Sequence, residues 1–413
     1  MSTAPVGAKT SGWPLTHPLV SDTFLQNPYS TYQALREAGP IHWSEEFFGG
    51  AWLVTRYADV ETVLRDARYS ARRTGGWLKR VSEQSEDKHE DLCLIQRLFG
   101  RAMLFLDAPD HPRVRQVLNA GFRPTALHSI APYIGQCVAE LTAGVDLAAA
   151  FDFMETIARP LPARVIARLM GIEQGTQADF VAWSDDLVEF IGAPQPTREM
   201  VRRAQVSLMR MSAVFERLLA DRRKCGPGSD LVGLLLQAGR EGKISDGAEL
   251  LAQCAMLLFA GYETTRNLLG NGLYALLRHP SEWQRLRKAP ELLSNALREL
   301  LRFDSPVQYT GRRVAKDHVL HGRHLKRGQL VIALIGAANR DPGRFRDPDR
   351  LDIARREGSH LSFGHGPHVC VGAALTLMEA ESVFRAVLDK WPDLTLADMQ
   401  ARLIWRGNAA YRG

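Results

Sequence analysis

The sequence predicts a mainly α-helical fold with a small β region, and three observations carry that prediction. The stretch GAELLAQCAMLLFAGYETTRNLLGNGLYALLRHP, residues 247–280, is apolar nearly all round and meets no proline until its end. A helix of that kind is buried on every side. From about Ala126 to about Gly239 the spacing is again mostly helical, with breaks at Pro160, Pro162, the Pro194–Pro196 region and CGPGSD. Strand-like runs are short and confined to the N-terminal part and the last third.

In chain order, PIHWSEEFFGGAWLVT reads as a hairpin, two apolar-aromatic runs around Gly49 and Gly50. YADVETVLRD follows with helical spacing. The charge run EQSEDKHED, Glu83 to Asp91, reads as a solvated loop or helix face, or as a lid over a site. The long apolar helix, at 1.5 Å per residue, crosses a whole domain, on the order of 50 Å. PELLSNALRELLRF is another helix, ended at Ser305-Pro306 because the residue before a proline leaves the α region. VLHGRHLKRGQLVIALIGAANRDP reads as short strands joined at glycine turns. GAALTLMEAESVFRAVLDKW is an amphipathic helix closed by Pro392.

The 413 residues suffice for a large core, and no linker, repeat or low-complexity tract supports cutting the chain. One domain, 1–413, is the expectation. Five scattered cysteines make an odd number, which argues against a disulfide framework and for a reducing, cytoplasmic setting. The start, MSTAPVGAKTSGWPLTHPLV, lacks the apolar run of a signal peptide or membrane span. Net charge is +6, but Lys and Arg are dispersed and not gathered in one element. That excludes a nucleic-acid binder and leaves an acidic protein partner as the sharper reading.

LSFGHGPHVCVGAAL, Leu361 to Leu375, carries the chemistry. A structural zinc site pairs its ligands, whereas Cys370 stands without a second cysteine nearby. A buried free cysteine is the plain alternative. Gly364, Gly366 and Pro367 force an irregular backbone ahead of Cys370, and Gly372 allows close approach of a flat group. Cys370 precedes a helix N-terminus, whose free N–H groups and dipole favour a thiolate. Such a thiolate suits haem iron.

Phe363, Gly366, His368, Cys370 and Gly372 fit F-x-x-G-x-[HR]-x-C-x-G, and here the sequence resembles the cytochrome P450 monooxygenases of the soluble bacterial type. The resemblance implies haem b, with Cys370 as the metal ligand and His368 as a partner of a haem propionate. AGYETT, Ala260 to Thr265, resembles the family's oxygen-activation motif. By that resemblance Ala260 and Gly261 border the haem, Gly261 opening the helix. Thr264 and Glu263 are then the catalytic pair that delivers protons. Glu299 and Arg302 resemble the family's structural E-x-x-R pair, with Arg355 completing it. His111 and Arg115 in DHPRVR, and Arg313 in GRRVA, resemble further propionate contacts. ANRDP followed by Phe345 is also a common family segment, and the chain ends at AAYRG, where family members continue for another strand.

The implied activity is dioxygen-dependent hydroxylation of an apolar or mixed small organic substrate, in secondary metabolism or catabolism. A non-hydroxylating oxidation on the same fold is the alternative. Helix spacing points Met256, Phe259 and Ala260 at the substrate pocket; Val307 matches a lining position, and the segment from Gly75 to Leu106 is expected to cover it. No flavin or nicotinamide fingerprint is present, so electrons are expected from a ferredoxin and its ferredoxin reductase. Docking is expected near Arg113, Arg123, Arg355 or Arg356, with no membrane and no nucleic acid involved.

Overall fold

A computed structural model describes residues 19, 21–74, 92–146, 149–172, 177–245, 247–398, 405 and 408–413. The first part of the chain holds α1 (Asp22–Gln26), α2 (Pro28–Ala38), β1 (Ile41–Ser44), β2 (Ala51–Val54), α3 (Tyr57–Arg65) and β3 (Tyr69–Ser70). A helical block follows: α4 (Leu92–Phe99), α5 (Asp110–Gly121), α6 (Pro124–Ala143), α7 (Pro160–Leu169), α8 (Gln177–Gly192), α9 (Arg198–Cys225) and α10 (Leu231–Arg240). Then come α11 (Gly247–Arg278), α12 (Pro280–Lys288) and α13 (Leu293–Phe303). The last third has β4 (Tyr309–Val314), β5 (His318–Leu320), β6 (Arg323–Leu325), β7 (Leu330–Leu334), α14 (Ile335–Ala338) and α15 (Ala373–Lys390).

The sheet is small and its strand order is β1-β2-β7-β4-β3. β1 and β2 form the hairpin expected from the sequence, with Ile41 opposite Val54. Its turn needs glycine: Gly49 and Gly50 have φ of 70° and 143°, and a Cβ on Gly50 would lie 2.5 Å from Trp43 Cζ2. β7 pairs parallel with β2 and antiparallel with β4, so residues 279 positions apart in sequence, such as Ala51 and Leu330, meet in one sheet. β5 and β6 make a separate two-stranded hairpin.

The long apolar stretch is one unbroken helix of 32 residues, α11. It packs against α7, α8, α9 and α15, which surround it on several sides. This explains why Cys254, Leu258, Leu268, Leu269 and Leu276 are all buried although they point in different directions. Gln253 interrupts the apolar run for a local reason. Its side chain accepts from Met103 N at 2.9 Å and donates to the Arg101 carbonyl at 2.6 Å, tying the segment after α4 to α11. No described helix is long and apolar enough to cross a membrane. EQSEDKHED lies outside the described residues.

Candidate active site

A cavity of about 1860 Å³ of atom-free space, its mouth included, lies between α11, the Cys370 loop, β4, β7 and the C-terminal residues. Cys370 stands at this cavity. Its sulfur is open to the void although it sits deep inside the protein, so the surface it shows faces a chamber and not bulk water. Burial pushes the thiol pKa up; the N–H groups of Gly372 and Ala373 and the charge of Arg115 pull it down. The two N–H groups belong to the N-terminus of α15, where the first amides of a helix have no partner of their own. The loop is fixed by Cys370 N donating to Phe363 O at 2.8 Å and Gly364 N to Leu361 O at 2.8 Å. Gly366 has φ 72°, and a Cβ there would lie 2.9 Å from Arg65 Cα of α3, so this loop abuts that helix.

Around the same void stand Arg73, Arg115, Arg312 and His368, with His111 behind them. The His111 and His368 rings are 4.0 Å apart between centroids. His368 is driven to a pKa of about 3 by burial and by the charges of Arg312, His111, Arg73 and Arg115. His111 is also lowered, by burial and Arg115. Arg312, buried, falls to about 9, chiefly through burial. Nε2 of His111 and Nη1 of Arg73 are buried without a hydrogen-bond partner. Charged arginines beside uncharged histidines with orphaned donors make a receptor for anions. Haem b brings two carboxylates and an iron that accepts a thiolate. The residues present therefore fit this group: Cys370 would hold the iron, and Arg115, Arg312, His111 and His368 would receive the propionates.

Arg313 also borders the cavity, but its guanidinium is engaged by the backbone. Period-two alternation along β4 puts Thr310 and Arg312 on one face and Gly311 and Arg313 on the other. Arg313 Nη1 donates to the Gly328 carbonyl at 2.6 Å, while Arg312 is the arginine that acts on His368 and His111. Arg115 Nη1 donates to Val369 O at 2.5 Å, in the residue before Cys370.

Across the void is α11. Met256, Phe259, Ala260, Glu263 and Thr264 line the cavity, and Val307 joins them from the segment before β4. Gly261 does not open the helix. α11 runs through it unbroken, and a Cβ there would meet Ile166 Cδ1 of α7 at 3.1 Å. The glycine lets α7 approach α11. Thr264 Oγ1 donates to Ala260 O at 3.2 Å. Glu263 is buried, with Arg266 Nη2 at 2.6 Å and Asn267 Nδ2 at 3.0 Å from its carboxylate. Arg266 in turn reaches Asp185 of α8 at 3.0 Å. Burial raises the Glu263 pKa and the Arg266 charge opposes the rise.

Glu299 and Arg302 form a buried bidentate pair at 2.7 and 2.8 Å, and Arg355 Nε adds a third contact to Glu299 at 3.1 Å. Arg302 also donates to the carbonyls of Asn339 at 2.9 Å and Pro348 at 2.8 Å. Asn339 receives Leu361 N at 2.7 Å and donates to Ser362 Oγ at 2.8 Å, which carries the network to the base of the Cys370 loop. Of the four arginines expected to face a docking partner, Arg355 is therefore committed to this network. Arg113 is held by Glu249 at 2.7 Å and by the Lys243 carbonyl at 2.6 Å. Arg123 and Arg356 remain exposed.

Some cavity residues escaped the sequence reading. Arg73, Tyr309 and Tyr411 line the void, whereas Met103, Leu104 and Phe105, which also line it, belong to the segment expected to cover it. Tyr411 arrives because residues 410–412 bond back to 306–308: Gln308 N donates to Ala410 O at 2.7 Å, and Arg412 N to Pro306 O at 3.0 Å. The end of the chain thus reaches the cavity after all. Only Arg312 carried a usable signal, its period-two position beside Arg313.

A mainly α fold with a cysteine at a helix N-terminus, facing a large apolar cavity and a ring of cations, defines the haem-thiolate class of protein. Comparison with known families and structures narrows this. The family model for cytochrome P450 matches residues 53–392. The biotin biosynthesis cytochrome P450 of Bacillus subtilis is 34% identical over 92% of this chain and 93% of its own. The vitamin D(3) 25-hydroxylase of Pseudonocardia autotrophica is 35% identical over 96% and 94%. Among solved structures, P450BioI with an acyl carrier protein carrying hexadec-9Z-enoic acid superposes with TM-score 0.85 at 32% identity, covering 95% of this chain and 97% of that one. The myxobacterial CYP267B1 with myristic acid gives 0.86 at 33%, covering 96% of each. The chain belongs to the cytochrome P450 family; it is an oxidoreductase and its cofactor is haem.

Proposed function

We propose that this chain is a monooxygenase that hydroxylates an elongated apolar or mixed organic substrate, with electrons supplied by a ferredoxin and its reductase. The observation that carries the reading is a single chamber with Cys370 at one wall and Thr264, beside an apolar lining, at the other. When bound, haem supplies the iron chemistry that activates dioxygen. The protein's part is to exclude water, orient the substrate and move protons. Met256, Phe259, Phe105 and Val307 give an apolar surface that a hydrocarbon body fills without unpaired polar groups. Thr264 holds a proton on Oγ1; turning about χ1 moves it from the Ala260 carbonyl to the cavity. Glu263, Arg266 and Asp185 form a chain of polar groups from the cavity wall to partly exposed Asp185, a route for resupply.

Relatives named for biotin and polyketide biosynthesis, and structural relatives bound to a fatty acyl chain or myristic acid, support an elongated substrate. The test has two parts. The reduced holoprotein with carbon monoxide should give the red-displaced Soret band of thiolate ligation, and Cys370→Ala should lose it. Turnover under isotopically labelled dioxygen should then place one labelled oxygen atom in the product. Unlabelled product, or a desaturated one, overturns hydroxylation and favours the non-hydroxylating alternative.

A further inference from the structure

We propose that Arg73 binds a carboxylate of the substrate, so that the chain takes amphipathic carboxylic acids with the acid end at Arg73 and the apolar body along α11. This deepens the proposed function and rests on it.

Among the described residues Arg73 has no hydrogen bond and no ion pair; its guanidinium lies over the Phe105 ring at 4.6 Å. The titratable groups that bear on it are the hydroxyls of Tyr411 and Tyr309, both raised by burial and so uncharged at neutral pH, and no carboxylate is among them. Burial lowers its pKa only to about 10, so it is charged at neutral pH. A buried cation without a counter-ion is costly, and an ionised partner offsets that cost. The nearby acids are already engaged: Glu263 with Arg266, Asp107 with Ala71 N at 2.8 Å.

Charge balance separates Arg73 from the cofactor's receptor. Arg73 stands beside the propionate receptor, since its charge acts on His368 and Arg312, but the two haem carboxylates need only Arg115 and Arg312 as counter-charges, with the uncharged His111 and His368 as N–H donors, so Arg73 is the surplus cation. Its neighbours also point to the substrate chamber. Tyr411 feels both Arg73 and Glu263, and its ring is 6.5 Å from that of Phe259 on α11. Gly311 leaves room for the arginine stem: a Cβ there would stand 3.2 Å from Arg73 Cδ.

A carboxylate has two sources here, a haem propionate and the substrate, and the experiment distinguishes them. The ferric holoprotein is titrated at pH 7.5 with dodecanoic acid and 4-phenylbutanoic acid, each beside its methyl ester, binding being read from the Soret shift and by calorimetry. At least one acid should bind about 10- to 100-fold more tightly than its ester, the range for a charge-assisted hydrogen bond. Arg73→Gln should abolish that preference while leaving ester affinity unchanged, and Arg73→Lys should restore part of it. Haem transfer to apomyoglobin should run at the wild-type rate in both variants. Neither acid outbinding its ester overturns the proposal. So does Arg73→Gln that keeps the preference but releases haem faster, which assigns Arg73 to a propionate. Absence of the thiolate carbon monoxide band in the wild type would instead sink the underlying functional reading.

Discussion

Thr264 and Glu379 are two side chains whose immediate surroundings set a measurable property of the protein. Thr264 bonds to Ala260 O and faces the cavity, so its methyl and hydroxyl have separable duties. Thr264→Ala should lower product formed per dioxygen consumed on the order of 10- to 100-fold, toward the lower range for a lost proton donor, while Thr264→Ser keeps most of it. Oxygen electrode and product assay together check this. Glu379 of α15 is buried, its Oε2 has no partner among the described residues, and burial raises its pKa well above the ordinary glutamate value of 4.5. A raised folded-state pKa gives stability that is full below the unfolded pKa and lost as pH rises through the folded one. Above about pH 4.5 the wild type should therefore lose up to about 1.4 kcal/mol per pH unit until that folded value is passed. Glu379→Gln should remove this slope in urea titrations from pH 5 to 8; an unchanged slope would show the carboxyl has found a partner.

At the scale of elements, the Glu299–Arg302–Arg355 cluster joins α13 to the coil that leads to the Cys370 loop. Arg302 is almost wholly buried, 2% exposed, and serves one carboxylate and several carbonyls at once. Removing it leaves Glu299 charged, buried and short of donors. Arg302→Ala should cost about 3–5 kcal/mol and reduce haem incorporation, measured by denaturation and by the haem-to-protein absorbance ratio. Long helix α11 and the β1–β2 hairpin were legible in the sequence because each is written in adjacent residues: an apolar run, or two runs about a glycine pair. The expectation about Gly261 went astray for the opposite reason. What that glycine permits is the approach of Ile166, nearly a hundred residues away in the chain.

Over the whole molecule, the net charge of +6 gains meaning only when the committed arginines are set aside. Arg113 and Arg355 serve internal contacts, which leaves Arg123, beside α6, and Arg356, in the coil ahead of the Cys370 loop, as exposed positive charges of the expected docking set. The double variant Arg123→Glu, Arg356→Glu should slow reduction by a ferredoxin about tenfold at low ionic strength, with the difference fading as salt screens it. Stopped-flow reduction across a salt series checks this, and equal rates at every salt concentration would move the docking surface elsewhere.

By itself the sequence determined the helical fold class and the family, and it singled out Cys370 as the candidate thiolate, because a loop signature and a helix N-terminus are local and need no partner from afar. It also paired Glu299 with Arg302, three residues apart on one helix face. Tertiary structure alone decided that Arg312 and not Arg313 joins His368, that Arg73 stands uncompensated over Phe105, and that Tyr411 closes the chamber. Those outcomes depend on strand register and on contacts between residues hundreds of positions apart, and burial fixes which charges keep a partner and which wait for one.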